Sequence, residues 1–130
     1  MYEIVLRKEF SAAHRLRMHD GDFEPLHGHN WGVEVFVEGP ALDAAGLLAD
    51  FTVLQRDLAG VLEPLRDRCL NDLPAFSEQN PSTECVARYI AEAFASRIPP
   101  AVRVSKVRVW ETSGCGAAYR PPPIPHDRDT

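Results

Sequence analysis

His27-Gly28-His29-Asn30-Trp31-Gly32-Val33-Glu34-Val35-Phe36-Val37-Glu38 is the stretch on which the fold turns. Val33, Val35 and Val37 alternate with Glu34, Phe36 and Glu38, the period of two of a strand with one buried face. Valine at each apolar position suits the pleated backbone, so a strand is expected from Asn30 to Glu38, closed by Gly39-Pro40. Upstream, residues 2–9 set Tyr2, Ile4 and Leu6 against Glu3, Val5 and Arg7, a looser alternation that points to a first strand. Between the two lies a polar stretch, Arg15 to Pro25, with Gly21 and several acids, which reads as the loop at the tip of a long hairpin.

Downstream the period changes. Asp50 stands in N-cap position before Phe51, Leu54, Leu58, Val61 and Leu62, spaced three or four apart as on one face of a helix that Pro64 ends. A second helix is expected after Asn80-Pro81, with Ser82 as cap and Val86, Ile90 and Phe94 spaced by four, stopping before Pro99-Pro100. Val102, Val104, Val107 and Val109 mark a third strand, and their switch from even to odd positions predicts a bulge near Ser105-Lys106. A fourth short strand is expected around Ala117–Arg120, followed by a proline-rich tail, residues 121–130, that cannot enter a sheet. The order β-β-α-α-β-β gives an α+β fold, a four-stranded antiparallel sheet with two helices on one face, as a single domain over residues 2–120.

The chain has 130 residues, 45% hydrophobic, enough for one domain with a core, and its formal charge of −5 argues against a nucleic-acid partner. Nothing reads as a membrane span or signal peptide. Cys69, Cys85 and Cys115 are odd in number and lack CxxC spacing, which fits free thiols in a reducing cytoplasm.

The histidines carry the chemistry. His27 and His29 are two apart at the entry to a strand, so both point to one face, about 7 Å apart along it. Gly28 between them allows close backbone approach. His14 ends Phe10-Ser11-Ala12-Ala13-His14, and hairpin pairing would return it beside the other two. Three neutral imidazoles with a vacant fourth position make a catalytic metal site for zinc, although iron and nickel also accept that donor set. His19 and His126 are expected to be exposed and uninvolved.

Phe10-Ser-Ala-Ala-His14, Leu26-His-Gly-His-Asn30, Ala49-Asp50-Phe51, Leu70-Asn71-Asp72, Asn80-Pro-Ser-Thr-Glu84 and Val109-Trp-Glu-Thr112 occur in that order over residues 2–120. In this the chain resembles the 6-pyruvoyltetrahydropterin synthase family. That family includes 6-carboxytetrahydropterin synthases of queuosine biosynthesis and a type III branch that supplies folate precursors. The resemblance implies a T-fold assembled as a homohexamer of two trimers, with active sites between subunits, zinc as cofactor, and 7,8-dihydroneopterin triphosphate as substrate. It further implies zinc on His14, His27 and His29, Glu111 as the anchor of the pterin ring, and a substrate contact or helix-capping part for Thr83.

Two departures bear on the reaction. Phe23 stands where the 6-carboxytetrahydropterin synthases place a cysteine, while Glu24-Pro-Leu-His27-Gly-His29 looks like the Glu-x-x-His-Gly-His signature of the type III branch. In that branch the glutamate serves as acid and base, and side-chain cleavage gives 6-hydroxymethyl-dihydropterin. The family's Asp-His relay is replaced by Arg66 and Asp67, followed by Arg68. Asp67 can take over part of the relay, and Arg66 and Arg68 can meet phosphates. The leading expectation is a zinc-dependent lyase on a dihydropterin side chain. The alternatives are a 6-carboxytetrahydropterin synthase, or a pterin-binding member without catalysis.

Overall fold

The valine alternation of the second strand organises the whole sheet. In a computed structural model that describes residues 1–123, β1 (Tyr2–His14) and β2 (His27–Gly39) pair antiparallel from Tyr2↔Gly39 to His14↔His27. Both strands run further towards the loop than the apolar alternation alone predicts. Ala12, Ala13 and the histidines carry little strand signal of their own, and the ladder between the two segments supplies what propensity does not.

β2 lies at the centre of a sheet of order β3-β1-β2-β4-β5, with β3 at Arg68–Cys69, β4 at Arg103–Thr112 and β5 at Cys115–Tyr119. The expected bulge is there. Phe36 faces Lys106 and Val37 faces Val104, which leaves Ser105 unpaired. The sheet has five strands instead of the expected four, and it is mixed instead of wholly antiparallel, because β3 runs parallel to β1 through Ala12↔Arg68 and Ala13↔Cys69. A strand of two residues is too short to show any period in the sequence.

Two helices cover one face. Asp50 caps α1 (Phe51–Leu62) by accepting from the Thr52 N–H at 2.8 Å, and Ser82 caps α2 (Thr83–Ala95) by accepting from Cys85 N–H at 3.2 Å. Their apolar stripes, Leu54, Leu58 and Val61 on α1 and Val86, Ile90 and Phe94 on α2, bury with Leu6, Phe10, Val33, Val35, Val37, Val107 and Val109 of the sheet. Among the described residues the other face has no helix. There Val5 is 44% exposed, and the half-buried Phe36 lies under Lys106 Nζ at 4.3 Å. Cys69, Cys85 and Cys115 are free thiols, and no helix among the described residues is long and apolar enough to cross a membrane. Most of the proline-rich tail, with His126, lies outside the described residues.

Candidate metal centre

The β1–β2 register decides where the histidines go. His14 faces His27 directly and Ala12 faces His29, so all three imidazoles share a sheet face with Phe10 and Trp31, the face the helices cover. Ring centroids are 4.7 Å apart for His14–His27 and His27–His29, and 5.3 Å for His14–His29. Trp31, fully buried, forms the floor. Its ring meets His14 edge-on at 4.9 Å and His29 at 5.5 Å, and its Nε1–H donates to the Ala12 carbonyl at 3.1 Å.

Backbone carbonyls fix the tautomers. His14 Nδ1 lies 2.8 Å from the Pro81 carbonyl oxygen, and His27 Nδ1 lies 2.8 Å from that of Pro25. A carbonyl can only accept, so each Nδ1 carries the proton and each Nε2 presents a lone pair. These lone pairs converge. His14 Nε2 is 3.1 Å from His27 Nε2 and 2.9 Å from Glu111 Oε1, and His29 Nε2 is 3.4 Å from the same oxygen. His29 Nε2 is buried and has no hydrogen-bond partner, since the approach to Glu111 lacks hydrogen-bond geometry. Burial holds the His29 pKa below its ordinary value, with His14 and His27 adding to the effect and Glu111 and Glu24 opposing it, so His29 is a neutral donor at pH 7.

One donor atom from each of His14, His27, His29 and Glu111 lies within 4.8 Å of the others. The Nε2 lone pairs of His14 and His27 face each other and the Glu111 carboxylate, and a divalent cation removes the repulsion among them. The cluster therefore fits a metal ion of the kind imidazole binds, zinc among them. Glu111, singled out in the sequence only as a pterin anchor, also stands among the possible metal donors.

The remaining candidates are spread around this cluster. Glu24 Oε1 is 3.8 Å from His27 Nε2 and accepts from the Leu16 N–H at 3.1 Å, which places its carboxylate at the edge of the donors. Thr83 is the first residue of α2 and half-buried; capping falls to Ser82, and the Pro81 carbonyl brings this helix start against His14. Asp67 is not in the cluster. It is exposed, held at φ 58° with its N–H bonded to the Ser11 carbonyl, and it lines a groove of about 530 Å3 with Ser11, Ala13, Gly28, His29, Asn30 and Arg68. By strand alternation Ser11, Ala13, Gly28 and Asn30 face away from the imidazoles. Arg66 is paired with Glu63 at 2.6 Å on the surface, and His19 is exposed. The Pro25 and Pro81 carbonyls are parts of the site that side-chain chemistry in the sequence could not announce.

The sequence profile described as 6-pyruvoyl tetrahydropterin synthase matches residues 3–122. The dihydroneopterin monophosphate aldolase of Pyrococcus furiosus is 34% identical over 113 residues, covering 87% of this chain and 92% of that one. The 6-carboxy-5,6,7,8-tetrahydropterin synthase of Bacillus subtilis is 32% identical over 130 residues, covering 92% and 87%. Among solved structures, the 6-pyruvoyl tetrahydropterin synthase of Caenorhabditis elegans superposes with a TM-score of 0.82 at 25% identity, covering 93% of this chain and 96% of that one. With likeness along nearly its whole length in profile, sequence and shape, the chain belongs to the 6-pyruvoyl tetrahydropterin synthase family and has its α+β T-fold.

Proposed function

We propose that this protein is a zinc-dependent lyase that shortens the side chain of a 7,8-dihydroneopterin phosphate, leaving 6-hydroxymethyl-dihydropterin. The observation that carries this reading is the carboxylate of Glu24 at 3.8 Å from His27 Nε2, with Phe23 where a synthase of the 6-carboxy type needs a thiol. The name of the Pyrococcus furiosus relative, an aldolase on dihydroneopterin monophosphate, supports it.

His14, His27 and His29 would hold the ion through Nε2. Zinc bound there supplies Lewis acidity, which lowers the pKa of substrate hydroxyls that reach it. Glu24 takes the proton of the hydroxyl on the second side-chain carbon. That carbon becomes an aldehyde as its bond to the first carbon breaks, and the electron pair left on the first carbon is quenched by a proton. Glu111 accepts from the amino and ring N–H groups of the pterin, which orients the ring against the donor cluster. Thr83, at the helix start beside His14, contributes a hydroxyl to the same pocket.

Asp67 would take part in proton transfer through water, from the groove that His29 also lines. The helix-free sheet face favours a homo-oligomer, a trimer or a hexamer, with sites between subunits. The free thiols accord with a cytoplasmic protein.

A 6-carboxytetrahydropterin synthase is the second reading, favoured by the Bacillus subtilis relative. Incubation of the zinc-loaded protein with 7,8-dihydroneopterin triphosphate and, separately, the monophosphate decides between them by product mass. The lyase reading expects 6-hydroxymethyl-dihydropterin and a two-carbon aldehyde phosphate. A 6-carboxy product would replace it, and tight pterin binding with no product would leave a binding protein.

A further inference from the structure

Residues 15–17, just beyond His14 of β1, are held on one side by the antiparallel Arg17–Phe23 bridge and on the other by side chains that stand in for a neighbouring strand. Asn71 Oδ1 accepts from the Arg15 N–H at 2.9 Å, and Asn71 Nδ2 donates to the Arg15 carbonyl at 2.8 Å. Two residues on, Asn80 Oδ1 accepts from the Arg17 N–H at 2.8 Å, and Asn80 Nδ2 donates to the Arg17 carbonyl at 2.9 Å. Each amide thus meets both polar groups of one residue, as a neighbouring strand would, and only one orientation of each amide satisfies both bonds. Leu16 faces the other way, and both its backbone groups go to Glu24. Its N–H donates to Glu24 Oε1 at 3.1 Å, and its carbonyl accepts the Glu24 N–H at 2.9 Å.

Both braces stand on fixed ground. Asn71 sits in a 3-10 turn, Leu70–Asp72, whose Leu70 is fully buried. Asn80 precedes Pro81, whose carbonyl orients His14, and Ser82, which caps α2. One segment therefore orients a metal ligand and braces the backbone that holds Glu24.

We infer that Asn71 and Asn80 are positioning residues for the acid/base chemistry of Glu24, acting through the Arg15–Leu16–Arg17 backbone. This rests on the role proposed above for Glu24. Without the two amides, four backbone groups of residues 15 and 17 turn to water, the Arg17–Phe23 bridge is left to hold the segment alone, and the Glu24 carboxylate gains freedom relative to His27. Misplacement of a reacting group by about 1 Å costs on the order of a hundredfold in rate.

The test is a double-mutant cycle on the full zinc-loaded protein. Asn71→Ala and Asn80→Ala are measured singly and together, each with native Glu24 and with Glu24→Gln, following kcat and KM by product mass over long incubations. The expected result with Glu24 present is a fall in kcat of about tenfold to a hundredfold with KM within about twofold. In the Glu24→Gln background the same changes should cost less than about threefold. Zinc stays at one per chain, and amide exchange at Glu24 quickens. Should the paired variant not fold, Asn80→Asp keeps the acceptor for Arg17 N–H but sets a carboxylate oxygen against the Arg17 carbonyl, and its kcat should fall at least about tenfold with Glu24 present and less than about threefold in Glu24→Gln. Equal fold losses in both backgrounds would overturn the positioning role while leaving Glu24 as acid/base. Undiminished turnover in Glu24→Gln alone would remove that assignment, and the positioning role with it.

Discussion

Replacing His27 with alanine should abolish the stabilisation of the fold by zinc while leaving the metal-free protein as stable as before. The side chain of His27 is 38% exposed, so truncation gives up little buried surface. In the metal-free state its Nε2 faces that of His14 at 3.1 Å with no proton between them, so its removal relieves a repulsion. Loss of the Pro25 bond offsets that relief by about 1 kcal/mol. The metal-free variant should thus lie within about 0.5 kcal/mol of the metal-free wild type. In the wild type, free zinc at a hundred times its Kd should add about 2.7 kcal/mol, on the order of 10 °C in Tm for a domain of this size. The assay is thermal unfolding at fixed protein concentration with zinc and then with excess chelator. Chelator should lower the wild-type Tm by about 10 °C and move His27→Ala by less than about 2 °C. His14→Ala gives the contrast, because His14 is fully buried, bonded to Pro81 and edge-on to Trp31. It should cost about 2–4 kcal/mol even without metal. An equal chelator shift in wild type and His27→Ala would refute the imidazole site.

Two further outcomes follow from the same geometry. Glu111→Gln should keep zinc at one per chain and raise KM for the pterin by on the order of tenfold or more, because an amide can accept only one of the two bonds a carboxylate takes; loss of zinc instead would make Glu111 a ligand. Glu34→Gln should flatten the acid limb of stability. The Trp110 N–H bond at 2.8 Å, against burial, and then Arg7 and Arg108 hold the Glu34 pKa below its ordinary 4.5. Its stabilisation is therefore present above about pH 4.5 and is lost as pH falls through the lowered folded value. Since Arg7 is largely exposed, the gain is on the order of 1 kcal/mol, read by urea unfolding at about pH 3 and pH 7.

The sequence yields most where a period reports a face. Val33, Val35 and Val37, the caps Asp50 and Ser82, and the slip of register at Ser105 are all legible in the sequence alone, because each obeys a local rule. The same period of two put His27 and His29 on one face, and the hairpin then supplied His14. What stayed hidden depends on contacts between distant segments. β3 exists only because Arg68 and Cys69 pass alongside β1, and no two-residue alternation can announce that. Asn71 and Asn80 lie in stretches that stood out as motifs, yet their bonds to Arg15 and Arg17 span 56 and 63 positions of chain. Pro25 and Pro81 contribute carbonyls, which every residue has. Asp67 could be named but not placed, since which side of a sheet a turn residue serves depends on the strand it follows.

X-ray absorption at the metal edge of the zinc-loaded protein tests the central claim most directly. Three imidazole nitrogens on one ion should give nitrogen scatterers at about 2.0–2.1 Å with the outer-shell pattern of imidazole rings, and that pattern should lose one ring in His29→Ala. A sulfur shell at about 2.3 Å, or a spectrum unchanged by His29→Ala, would contradict it.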